Sequence, residues 1–296
     1  GSKNVSQKKK KQKKKLSNSI LTNGKRRKQL TQTTAREFRN SFGENVFRLK
    51  YAQGPGDTWS KLADRLVEDV CGSRFGTLPI LMSEGDRKEL SEHIKAQRFM
   101  PGGRYLYYAG RPYKAYNNCY LLRAEEDTRE EWSAVTWRAM SCLMTGGGIG
   151  IDYSRLRGAG KALSRTGGTA SGPIPLMSAI NEIGRNVQQG GSRRSAIYAS
   201  LNWRHDDIDQ FLTIKNWTEE TKAAKLSNFN AWAPLDMTNI SLNYDNEWRD
   251  EYARTGALHH TYLANVKQAL KTGEPGFSFN FDEKEDETLR NACCEV

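Results

Sequence analysis

The chain has 296 residues, with 46 Lys or Arg against 34 Asp or Glu and a formal charge of +12, and that length can bury a core in one domain or two. No apolar run is long enough to span a bilayer, and no secretory signal core is present. Five cysteines, an odd count without a C-x-x-C pair, speak against both a secreted disulfide framework and a zinc ribbon, so cytoplasmic thiol chemistry is the expectation.

The positive charge is local. Residues 1–31 hold twelve Lys or Arg and no acid, which leaves 34 basic and 34 acidic groups in the remainder. Residues 1–45 therefore read as a disordered basic arm, either a solvated tail or a polyanion-binding element whose affinity would fall steeply with salt. Residues 46–97 read as a helical region. Asp57-Thr58 caps a helix through about Val70 with Trp59, Leu62, Leu66 and Val70 on one face, and Ser83 to Lys95 forms a second.

Residues 98–296 read as the main α/β body. Residues 99–122 alternate aromatic and polar side chains between glycine and proline turns, a loop followed by a strand. Glu130 to Met144 is helical. Another helix follows Pro173, with Ile174, Met177, Ile180, Ile183 and Val187 at helical spacing. Strands are expected at Ala196–Leu201, Asp236–Asn243 and Phe277–Phe281, and helices at Asp206–Lys215 and Leu258–Lys271. This alternation argues an α/β architecture. Periodicity leaves open whether the sheet is doubly wound or closes into a barrel.

Three stretches carry chemistry. In Asn291-Ala292-Cys293-Cys294-Glu295 an amide, a thiol and a carboxylate alternate, so extended backbone points all three to one side. Gly146-Gly147-Gly148-Ile149-Gly150 is not a dinucleotide loop, because Tyr153 stands where the third glycine belongs, and Gly160-Lys161-Ala162 fails as a Walker loop. Close backbone approach is the better reading of the glycines. Arg155, Arg157, Lys161 and Arg165, interleaved with Gly158, Gly160, Gly167 and Gly168, form either a phosphate-binding loop or a solvated basic one. His259-His260 has no third ligand at metal spacing, so no metal is assigned.

Eight blocks in order carry a family resemblance: Arg98-Phe99-Met100-Pro101-Gly102-Gly103-Arg104, Asn117-Asn118-Cys119-Tyr120, Thr145 to Asp152, Ser154-Arg155-Leu156-Arg157, Thr169 to Pro173, Gln189 to Arg194, Thr238-Asn239-Ile240-Ser241 and Thr272 to Gly276. They end in Asn-x-Cys-x-Glu at Asn291, Cys293 and Glu295. Residues 48–296 thereby resemble the large, catalytic subunits of ribonucleotide reductases, up to their finger loop. The resemblance implies a ten-stranded α/β barrel, of which this chain supplies mainly the first half; the optional ATP cone is not expected. It makes Cys293 the thiyl radical, Glu295 the base, Asn291 the ribose-hydroxyl partner and Cys119 the first redox cysteine. Asn118, Gly147, Gly148, Arg193 and Arg194 would meet substrate. Arg155, Arg157, Lys161 and Arg165 would bind a nucleoside triphosphate effector, and residues 189–195 would carry its message to the substrate base.

The implied partners are a ribonucleotide, a deoxynucleotide effector, a thioredoxin-like reductant and the C-terminal half of the barrel with the second redox cysteine. Glu295 together with Cys119 argues against the glycyl-radical branch. The radical source is then adenosylcobalamin, which the wording GGGIGIDYSRLR favours, or a separate metal-containing, radical-generating subunit. Cys294 departs from the family pattern, as an idle neighbour or a competing thiol. A reading from another class is a non-catalytic nucleotide- or nucleic-acid-binding module working through the basic arm.

Overall fold

The computed structural model describes residues 37–72, 82–187, 195–281 and 289–292. Of the arm expected to be disordered over residues 1–45, residues 1–36 lie outside them, whereas 37–45 are described and run into a helix capped by Asn40. Two compact units divide the chain at Tyr116 and Asn117, so residues 98–116, expected at the head of the α/β body, cluster with the helical unit.

In the first unit, α1 (Ser41–Lys50) starts at Asn40, whose side chain accepts the Gly43 N–H. Helix α2 (Trp59–Cys71) starts at Thr58 in the same way and buries Trp59, Leu62, Ala63, Leu66 and Val67. That stripe packs with Phe47 and with Ile94 of α3 (Glu84–Lys95), whose carbonyl accepts the Trp59 indole N–H at 2.9 Å. A short helix α4 (Gly103–Tyr108) completes the unit through buried Leu106. It lies inside the stretch expected as loop then strand. The alternating aromatics resemble a strand period there, and tertiary burial of Leu106 decides otherwise.

The second unit is a five-stranded parallel sheet in sequential order: β1 (Cys119–Arg123), β2 (Gly148–Asp152), β3 (Ile197–Asn202), β4 (Thr238–Tyr244) and β5 (Gly276–Phe279). Helix α5 (Arg129–Met144) joins β1 to β2, and α6 (Ile174–Asn186) joins β2 to β3. Helices α7 (Ile208–Thr213) and α8 (Glu219–Ser227) join β3 to β4, and α9 (Asn246–Thr255) and α10 (His260–Thr272) join β4 to β5. Crossovers of one hand between successive parallel strands stack the helices on one face. This is the expected α/β architecture with half the strands of the ten-stranded barrel. Helix α8 buries no residue and so has no apolar stripe to read. Its Lys225 instead ion-pairs at 2.6 Å with Asp236, which also holds Arg185 of α6.

Candidate active site on the inner face of the sheet

Register partners in a parallel ladder project to the same side, and neighbours along a strand to opposite sides. One face carries Ile149 and Ile151 of β2 with Ile197, Ala199 and Leu201 of β3, and this set forms the core beneath the helices. The opposite face pairs Cys119 with Gly148, Leu121 with Gly150, and Asp152 with Ser200.

The chain returns across that second face. A Cβ on Gly150 would stand 1.7 Å from the Arg290 carbonyl oxygen and 2.9 Å from the Asn291 Cα. On Gly148 it would stand 2.8 Å from the Ala292 Cβ. Neither position is sterically open to a larger residue, which bears out close backbone approach as the meaning of the glycine block. Arg290 donates from Nη2 to Asn280 Oδ1 at 2.7 Å, tethering the segment just beyond β5. Residues 290–292 therefore run back along β2 from Gly150 to Gly148, toward the end of the sheet where Cys119 begins β1. Cys119 is half-buried, and the exposed Asn118 beside it opens the ladder by accepting the Gly148 N–H at 2.7 Å. Gly147 is buried on the other side, where a Cβ would stand 2.4 Å from the Tyr120 ring.

Further along the inner face, Asp152 Oδ1 accepts bonds from Ser154 Oγ (2.6 Å), Ser200 Oγ (3.1 Å) and Asn243 Nδ2 (3.1 Å). Burial pushes this carboxyl above its usual range, and the bonds from Ser154 and Ser200 only partly oppose the shift. The cluster braces β2, β3 and β4 from inside. Neither it nor the Arg290–Asn280 tether was read from the sequence, although Asn239, Ser241 and Asn243 alternate with apolar residues along β4 and mark a polar face.

The four loop cations sit between β2 and α6. Arg155 pairs with Glu125 at 2.8 Å, Arg157 with Asp127, and Lys161 with Asp206 at 3.2 Å; Arg165 is exposed on the hairpin these residues form. Three of the four are thus already matched with carboxylates. Cys293, Cys294, Glu295, Arg193 and Arg194 lie outside the described residues. Among the described residues no helix is long and apolar enough to cross a membrane.

A five-stranded parallel sheet with helices on one face and Cys119 on the other, where residues 290–292 cross it, has the architecture of half an α/β barrel. Residues 117–286 match the family model for the ribonucleotide reductase barrel domain, more than half of the chain, and the chain belongs to that family. A ribonucleoside-diphosphate reductase large chain from Cryptosporidium parvum is 28% identical over 185 residues, covering 62% of this chain and 22% of that protein. A vitamin B12-dependent ribonucleoside-diphosphate reductase from Mycobacterium tuberculosis (strain CDC 1551 / Oshkosh) is 35% identical over 165 residues, covering 54% of this chain and 23% of that protein. The chain therefore spans less than a quarter of the length of these two relatives. The fold is shared with the Actinobacillus ureae class Id ribonucleotide reductase alpha subunit, at a TM-score of 0.61 and 13% identity over 84% of this chain and 42% of that one.

Proposed function

We propose that this chain supplies the first half of a barrel that reduces ribonucleotides to deoxyribonucleotides through a cysteine thiyl radical. The observation that carries the reading is the seat of Arg290–Ala292 on Gly150 and Gly148, because Gly148 is the register neighbour of Cys119. Cys293 follows Ala292 in the sequence, and in this reading it is the second thiol of the site. A ribose 2′-hydroxyl is a poor leaving group. Removal of the 3′-hydrogen as an atom weakens the neighbouring C–O bond, and a thiyl suits that step because S–H and C–H bonds are close in strength.

In this reading Cys293 takes the 3′-hydrogen and later returns it. Glu295 accepts the 3′-hydroxyl proton, a role typically worth ~10² to 10⁴ in rate. Asn291 holds the ribose hydroxyls. Cys119 protonates the departing water, and its sulfur then joins a second cysteine in a disulfide, the two thiols supplying the two electrons of the reduction. A thioredoxin-like dithiol restores them. Asn118, Gly148, Arg193 and Arg194 border the substrate, Gly147 being turned to the opposite side against Tyr120, while Arg155, Arg157, Lys161 and Arg165 take the phosphates of a deoxynucleotide effector. Such control is a reciprocal coupling between two nucleotide sites. The radical would come from adenosylcobalamin, which the name of the Mycobacterium tuberculosis relative gives for that protein, or from a separate radical-generating subunit, and no step is routed through either.

The test is a reductase assay on the complete gene product with a cytidine nucleotide, dithiol and deoxynucleotide, with and without adenosylcobalamin. Deoxycytidine product is expected, lost in Cys293→Ser and in Cys119→Ser. A need for the cobalamin identifies the radical source. Absence of product with cobalamin and with a radical-generating subunit added overturns the reading.

A further inference from the structure

The loop between β2 and α6 is a small hairpin. Gly160 N–H donates to Ala170 O at 2.9 Å, Ala170 N–H to Lys161 O at 2.7 Å, and Leu163 N–H to Gly168 O at 3.0 Å, around an antiparallel bridge between Ala162 and Thr169. Gly160, Gly167, Gly168 and Gly172 all have positive φ, so the hairpin depends on backbone freedom rather than on a packed interior. Its stems need a support from elsewhere.

That support is one run of three residues in the turn between β3 and α7. With His205 Nδ1 accepting the Asp207 N–H at 3.0 Å, the ring proton sits on Nε2 and donates to Leu156 O at 2.7 Å. Asp206 pairs with Lys161 at 3.2 Å, and a Cβ on Gly158 would stand 2.5 Å from its own Cβ. Asp207, only 8% exposed, accepts the Ala159 N–H with both oxygens, at 2.9 and 3.1 Å. The same carboxylate faces the other stem, where a Cβ on Gly172 would stand 2.0 Å from Asp207 Oδ2. Three consecutive side chains thus reach the hairpin at three points, and one buried carboxylate meets both of its stems.

We propose that His205-Asp206-Asp207 is a clasp of positioning residues that holds the 156–172 hairpin in the shape in which it receives a polyphosphate. The proposal rests on the effector reading of that loop. A held loop binds more tightly because less ordering remains to be done on binding. Within the clasp Asp207 supplies the shape. Asp206 occupies Lys161 while no phosphate is bound and yields it when one arrives.

The test uses the full chain, with amide hydrogen exchange as one readout and inorganic tripolyphosphate binding as the other. Asp207→Ala is expected to speed exchange of the Ala159, Gly160 and Ala170 amides by roughly tenfold or more, the scale of one hydrogen bond to a charged group, with β3 and β4 unchanged. Tripolyphosphate affinity should fall in parallel. Asp207→Asn keeps a side-chain carbonyl for the Ala159 N–H and should restore much of both. Asp206→Asn should leave exchange unchanged and tighten binding severalfold, a sign opposite to that of losing a structural contact. Unchanged exchange in Asp207→Ala, exchange rising equally across the sheet, or no recovery in Asp207→Asn each overturns the clasp. Absence of tripolyphosphate binding in the unaltered chain instead overturns the effector reading, and the exchange data still decide the clasp.

Discussion

Strand β2 shows the two faces of the sheet in five residues. Toward the helices it presents Ile149 and Ile151, each at most 1% exposed in the main core. Toward the inside it presents Gly148, Gly150 and Asp152. Both faces are buried, by opposite means: the outer face fills space with branched side chains, and the inner face gives up side chains so that residues 290–292 can lie against the backbone. The outer arrangement yields stability and tolerates any apolar set of similar volume. The inner one yields placement, and tolerates almost nothing.

Substitutions on the two faces should therefore separate stability from placement. Ile151→Ala leaves a cavity among helix-packed side chains and is expected to cost about 2–5 kcal/mol, read as a lower denaturant midpoint at unchanged slope. The returning segment should keep its protection from exchange in the folded state. Gly150→Ala is expected to cost less in global stability, about 1–3 kcal/mol for overpacking. It should nevertheless strip protection from Asn291 and Ala292, and abolish reductase turnover in the complete gene product. The comparison breaks if Ile151→Ala releases the segment, or if Gly150→Ala leaves it in place.

The outer face was legible in the sequence and the inner one only partly, for a physical reason. Helices α2, α5 and α6 bury recurrent apolar positions, and strands β3, β4 and β5 are short apolar or alternating runs, so periodicity locates them within a few residues. Helices α1, α8 and α9 carry one buried residue or none and were missed, their positions being held by caps and ion pairs rather than by a stripe. The glycine block could be read as close approach, yet nothing local to it names Arg290–Ala292 as the partner. That contact joins residues about 140 apart in sequence and exists only through the order of the strands. The loop cations were legible as charges, whereas their carboxylate partners Glu125, Asp127 and Asp206 come from the adjoining β1–α5 and β3–α7 connections.

The smallest expected effect sharpens the contrast through pH. On the inner face burial raises the Asp152 carboxyl above its unfolded value, so its contribution to stability is full below about pH 4 and is lost as pH rises through the folded-state value. In the helical unit Asp57 has the opposite sign. Burial alone would raise it, but the Arg65 guanidinium, at 3.0 Å from each carboxylate oxygen, and the Gln53 and Thr58 N–H groups bring it below its usual range. Its contribution is present above about pH 4 and is lost as pH falls through the folded-state value. Asp152→Asn retains a carbonyl oxygen for Ser154, Ser200 and Asn243 and removes the titration. Its unfolding midpoint should match the unaltered chain below about pH 4 and exceed it progressively toward neutrality. Parallel profiles for the two proteins would mean that the inner-face acid ionises as freely as in the unfolded chain. In that case the network around Asp152 would have to be paying for a full charge, and the inner face would be polar by solvation rather than by enclosure.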